Sequence, residues 1–119
     1  MKEESTDQVY DYRFLAQITN GDKEFERKLL YIFVSTVPNA TSELMKSLES
    51  SDFISLAETA HKMKTTIHSM GIKQLKGPIS KLEELATKKA NTKEIEKLTN
   101  EVVGFMDALT SEFKSRLLY

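Results

Sequence analysis

An all-α fold is what this sequence predicts: an antiparallel up-and-down four-helix bundle with a short extra helix at its amino end. Three observations carry that prediction. Apolar residues recur at steps of three and four along the chain, the helical period, and no alternating stretch is long enough to argue for a strand. Only four glycines and two prolines interrupt the 119 residues. The breaks that do occur, "NGD" at 20–22, "ESSD" at 49–52, Gly71 and "KKANTKE" at 88–94, divide the chain into helix-sized pieces.

The elements follow in order. "YDYRFLAQI", from Tyr10 to Ile18, suits a short first helix that "NGD" ends, leaving Asp22 to cap the next. The second helix has its stripe at Phe25, Leu29, Phe33, Val37, Ala40, Leu44 and Leu48. Pro38 lies inside it, which predicts a kink or local break, but the stripe stays in phase and favours one bent helix. The third carries a narrow seam, Phe53, Leu56, Ala60, Met63, Ile67 and Met70, and Gly71 ends or bends it. Leu75, Ile79, Leu82 and Leu85 mark a fourth helix whose start stays open, because Pro78 fits either a first turn or a distortion. Asn91 or Thr92 caps the last helix, which runs through Ile95, Leu98, Val102, Phe105, Leu109, Phe113 and Leu117.

Composition bounds the rest. One domain over residues 1–119 is expected, with residues 1–8 as a flexible leading segment, and a chain of this size buries roughly two-thirds of its unfolded surface. There are no cysteines, which excludes disulfides, thiolate catalysis and cysteine-ligated metals. With 29% charged and 39% hydrophobic residues the chain is too apolar to be disordered. The longest apolar run, Leu29 to Val34, is far too short to cross a bilayer, and "MKEESTDQ" lacks the apolar segment of a signal peptide. A cytoplasmic protein, or a cytoplasmic piece of a larger one, is expected. A formal net charge of −1 points away from nucleic acid and from anionic membranes. One seam per helix needs no second copy, so a monomer is expected.

That net charge hides an asymmetry. Between Thr59 and Leu82 stand five lysines (62, 64, 73, 76 and 81) and no acidic residue. Lysines suit the last turn of one helix and the wet face of the next, and they also suit a surface built for an anionic partner.

Two histidines fall in the same region, and helical geometry places them. At 100° per residue His61 lies about 130° from the centre of the third helix's seam, Thr65 about 170°, His68 about 110° and Lys64 about 70°. His61 therefore faces solvent with Lys64 one turn away. An exposed imidazole is substantially neutral at physiological pH, and its free nitrogen can accept a phosphoryl group. A cation three residues on can offset the phosphoryl charge. His68 is a further 10.5 Å or so along the axis, too far to share a tetrahedral ion with His61. "AETAH" is not the metalloprotease helix motif, and Met63 and Met70 belong to the core, so neither a metal nor a cofactor is expected.

"AHKMKTTIHSMGIKQL" resembles the signature of histidine-containing phosphotransfer (HPt) domains. Ala60, His61, Met63, Lys64, Gly71 and Leu75 stand where that family has its Ala-His pair, an apolar residue, a lysine, a glycine and a leucine. "SSDFISLAETAH" is similar to the family's approach to its histidine, "LLYIFVSTVP" to its second helix, and "KLEEL" supplies Leu82 and Glu83. The resemblance implies that His61 is the phosphoacceptor and Lys64 its phosphoryl-stabilising neighbour. It implies a phosphorelay carrier between receiver domains of response regulators or hybrid sensor kinases, without autokinase activity. The partner receiver domain then brings the Mg²⁺ and the acidic pocket. Nothing in the chain resembles a nucleotide-binding glycine-rich loop. Lys62, Thr65, His68, Gly71 and Glu83 are expected on the partner's footprint.

Thr65 departs from the pattern, which has glycine there. A branched side chain crowds the dock, or its hydroxyl bonds the preceding turn or a phosphoryl oxygen. Two rival readings follow. A kinase dimerisation helix pair also presents a histidine, but "HKMKTT" lacks its acidic residue and proline. A helical interaction domain related to this family, docking a receiver domain or kinase without transferring phosphate, is the alternative to which Thr65 points.

Overall fold

Short polar side chains start most of the helices. In the computed structural model, which describes residues 9–118, these are α1 (Tyr12–Ile18), α2 (Lys23–Glu49), α3 (Phe53–Ser69), α4 (Lys73–Lys88) and α5 (Thr92–Leu118). Asp11, Asp22 and Asp52 accept hydrogen bonds from the backbone N–H groups of Arg13, Phe25 and Ser55, so each satisfies a donor that its helix leaves orphaned. Asn91, not Thr92, caps α5: its side-chain oxygen accepts from the Glu94 N–H at 3.2 Å. Residues 1–8, expected to be a flexible leading segment, lie outside the described residues.

The four long helices pack in a ring, α2 against α3, α3 against α4, α4 against α5 and α5 against α2, which is the up-and-down bundle. α2 runs through Pro38 without a break, with the Thr41 hydroxyl donating to the Pro38 carbonyl at 3.1 Å. α4 begins at Lys73, with no side-chain cap on Ile72, which puts Pro78 in the second turn and not the first.

The seams form the core with some shifts. Leu44, Leu56, Ala60, Ile67, Ile79, Leu82, Ile95, Val102, Leu109 and Phe113 are fully enclosed. In α5 Met106 is buried while Phe105 is only partly so. Strict steps of three and four average 3.5 residues, and a straight helix at 3.6 per turn drifts off such a stripe by about 20° per heptad. The same drift seats Ala86 in the core where Leu85 was expected. In α2 the departure has the opposite sense: the stripe opens on three steps of four, each overshooting a full turn by about 40°, which leaves Phe25, 44% exposed, at the rim. Tyr10 and Ile72, outside every seam, are buried as well, and the Tyr10 hydroxyl donates to the Met70 carbonyl at 2.7 Å. Among the described residues no helix is long and apolar enough to cross a membrane.

Gly71 closes α3 with paired bonds, from its own N–H to the His68 carbonyl (3.2 Å) and from the Ile72 N–H to the Ile67 carbonyl (2.9 Å). That turn needs a left-handed residue, and Gly71 has φ +67°. The Phe14 ring of α1 lies directly on it: a Cβ there would stand 2.6 Å from the ring's Cδ2 atom. Gly71→Ala combines a positive φ with that clash and should lower stability by about 1–3 kcal/mol, read as a fall in urea midpoint with unchanged slope.

Candidate functional site

His61 sits in the middle of α3, next to Ala60, whose side chain is in the core, and its imidazole is 67% exposed. The expected solvent-facing placement is what the structure has. Because α3 and α4 pack side by side, Glu83 of α4 reaches across to it. One carboxylate oxygen, Oε2, lies 2.7 Å from His61 Nδ1, and the other, Oε1, lies 2.8 Å from Lys64 Nζ.

The chemistry of the pair assigns the proton. An ionised carboxylate only accepts, so the bond to Oε2 requires hydrogen on Nδ1. In the neutral ring the lone pair then belongs to Nε2. Lys64 first, and then the His61 hydrogen bond, hold the Glu83 carboxyl below the usual glutamate range, against the opposing effect of burial. A depressed carboxyl of this kind contributes stability above the ordinary glutamate pKa and loses it as pH falls through the lower, folded-state value. The Thr87 hydroxyl donates to the Glu83 carbonyl at 2.8 Å, one turn along α4.

Two shallow depressions flank the imidazole. Ala57, Glu58, Lys62 and Thr87 line one together with His61 and Glu83. Lys64, Thr65, His68 and Ser69 line the other. The structure thus brings His61, Lys62, Lys64, Thr65, His68 and Glu83 to one face. Thr65 is exposed, and its carbonyl accepts the Ser69 hydroxyl at 2.6 Å.

Gly71 does not share that face. It is buried beneath Phe14 and lines a separate hollow with Tyr10, Asp11 and Lys73, so its place on a partner's footprint is replaced by a role in ending α3. The five lysines do not form one field either. Lys73 stands 3.9 Å from Asp11, Lys64 is paired with Glu83, and Lys81 acts on Glu84. Sequence reasoning missed Ala57, Glu58 and Thr87, and it named Glu83 without seeing that the residue joins His61 to Lys64. The missing quantity was the register between α3 and α4. Among the described residues no group of three or more histidine, aspartate or glutamate side chains could hold a metal ion.

Comparison with known proteins gives the family and the fold. The Hpt domain family model matches residues 28–112, which include both helices of the site. The crystal structure of the HPT domain from an Hpt sensor hybrid histidine kinase of Shewanella has the same fold, with a TM-score of 0.79 over 92% of this chain and 93% of that one at 14% identity. No curated protein sequence matches. With most of the bundle matched, this chain belongs to the Hpt domain family.

Proposed function

We propose that this protein is a phosphocarrier of a two-component phosphorelay, taking a phosphoryl group on His61 from a receiver-domain aspartate and passing it to another. Membership in the Hpt family makes it a phosphotransfer module. The observation that supports the finer reading is the Glu83 bridge, one oxygen on His61 Nδ1 and the other on Lys64 Nζ, beneath an open imidazole.

In that reading the Nε2 lone pair forms the N–P bond while the acyl-phosphate P–O bond of the donor breaks and its carboxylate departs. The ring becomes an imidazolium, with its proton kept on Nδ1 and its charge offset by Glu83. Lys64 exchanges its carboxylate partner for phosphoryl oxygens, one anion for another. Passing the group on reverses these steps, and neither direction needs a proton from solvent. The Mg²⁺ and the acidic pocket come with the receiver domain, and the chain itself needs no cofactor and carries no autokinase activity. A cytoplasmic location fits such partners.

Incubation with a phosphorylated receiver domain should label the chain with acid-labile, base-stable phosphate, and His61→Gln should abolish the label. Label that persists in this variant defeats the assignment. A wild-type chain that binds receiver domains yet is never labelled would be a docking domain without transfer.

Glu83→Gln keeps the shape but offers both a donor and an acceptor, so it no longer dictates the imidazole tautomer. Transfer should slow by about tenfold to a hundredfold, as for other residues that orient a reacting ligand. Nitrogen-15 chemical shifts should report protonated Nδ1 in the neutral wild-type ring and a mixture of tautomers in the variant.

Lys64→Ala removes a charged hydrogen bond from the phosphoryl group and should slow transfer by about tenfold to a hundredfold. Its helical circular dichroism should match wild type, and loss of that signal would show that the lysine serves the fold.

A further inference from the structure

Ile54 is 60% exposed at the second position of α3. A branched side chain there gains no core packing and is a poorer helix former than the lysine or glutamate that usually fills such a site. Its position relative to His61 is defined by the helix. Seven residues turn through nearly two full turns, so Ile54 lies within about 20° of the His61 direction and about 10.5 Å along the axis. Ala57, three residues on, lines the depression beside His61 and Glu83. Together they form an apolar track that leads along α3 to the reactive imidazole, with the exposed Glu58 and Lys62 beside it. Among the described residues, the other exposed large hydrophobics belong to α1, the first half of α2 and the end of α5.

We propose that Ile54, with Ala57, is the apolar anchor of the surface on which the partner receiver domain docks. This rests on the phosphocarrier reading above. A protein that reaches His61 with its phosphorylated aspartate must cover the surrounding surface. A standard interface of ~800 Å² per partner is a disc of ~16 Å radius, so a side chain 10.5 Å or so from the imidazole lies inside it. The partner must therefore present an apolar side chain near its phosphorylation pocket, because a polar group packed directly on Ile54 would lose its water and gain no hydrogen bond from that side chain. Ile54 touches neither the phosphoryl group nor the imidazole. It positions the partner and leaves the chemistry to His61, Lys64 and Glu83.

The test uses the full chain and a phosphorylated receiver domain that labels the wild-type protein. Ile54→Ala should raise KM for that domain by about fivefold to tenfold with kcat retained, and Ile54→Lys should raise it further. Labelling of His61 by phosphoramidate, a donor too small to need a dock, should be the same in all three proteins. Unchanged KM in both variants overturns the proposal while leaving the phosphocarrier reading intact. Loss of a concentration-dependent dimer in Ile54→Lys, with KM unchanged, also overturns it and assigns the track to contact between copies of this chain. Failure of every receiver domain to label the wild-type chain removes the phosphocarrier reading and this proposal together.

Discussion

The carboxylate of Glu83 is the constraint on which the site depends. It holds the imidazole of His61 by one oxygen and the ammonium of Lys64 by the other, at 2.7 and 2.8 Å. Both bonds cross from α4 to α3, so they exist only at one register of that helix pair. The turn between them sets the register. Gly71 ends α3 in a left-handed conformation, Ile72 is buried immediately after it, and α4 starts at Lys73. Leu75, Ile79 and Leu82 then lock α4 into the core and leave Glu83 at its edge. The chemistry of an exposed face is thus fixed from the inside.

Helix lengths explain the amino-terminal strap. α2 and α5 have 27 residues each, whereas α3 and α4 have 17 and 16. A surplus of ten or so residues is about 15 Å of helix that the shorter pair leaves uncovered. Tyr10 and α1 cover part of it. The Tyr10 ring meets Phe113 edge-on at 5.2 Å, and Tyr12 stacks beneath the Arg116 guanidinium at 3.6 Å while its hydroxyl donates to Glu112. Phe14 on Gly71 joins this strap to the turn that sets the α3–α4 register.

Much of this was legible in the sequence, because a helix writes its buried face into a one-dimensional period. The five helices, the Asp22 cap and the outward direction of His61 all follow from local rules. Properties that depend on how one helix meets another did not follow. Glu83 could be named from its place after Leu82, but no period gives the distance from α4 to His61. Gly71 was placed on the partner's face when its job is to turn the chain under Phe14, since the contact comes from α1, more than fifty residues earlier. Phe105 and Met106 exchanged places for a smaller reason, the mismatch between 3.5 and 3.6. The lysine run looked like one field along the chain, but its members stand on two helices, and three of them, Lys73, Lys64 and Lys81, answer to different acids, Asp11, Glu83 and Glu84.

Placing every reactive group on the two short helices has an effect on how freely the rest can vary. The long pair works as a keel: it must be apolar on its inner side and the right length, and little else is asked of it. Cores of this kind tolerate wholesale exchange of one hydrophobic residue for another provided volume and pattern persist. A bundle so divided can drift to 14% identity from another and still lay its backbone along the same path.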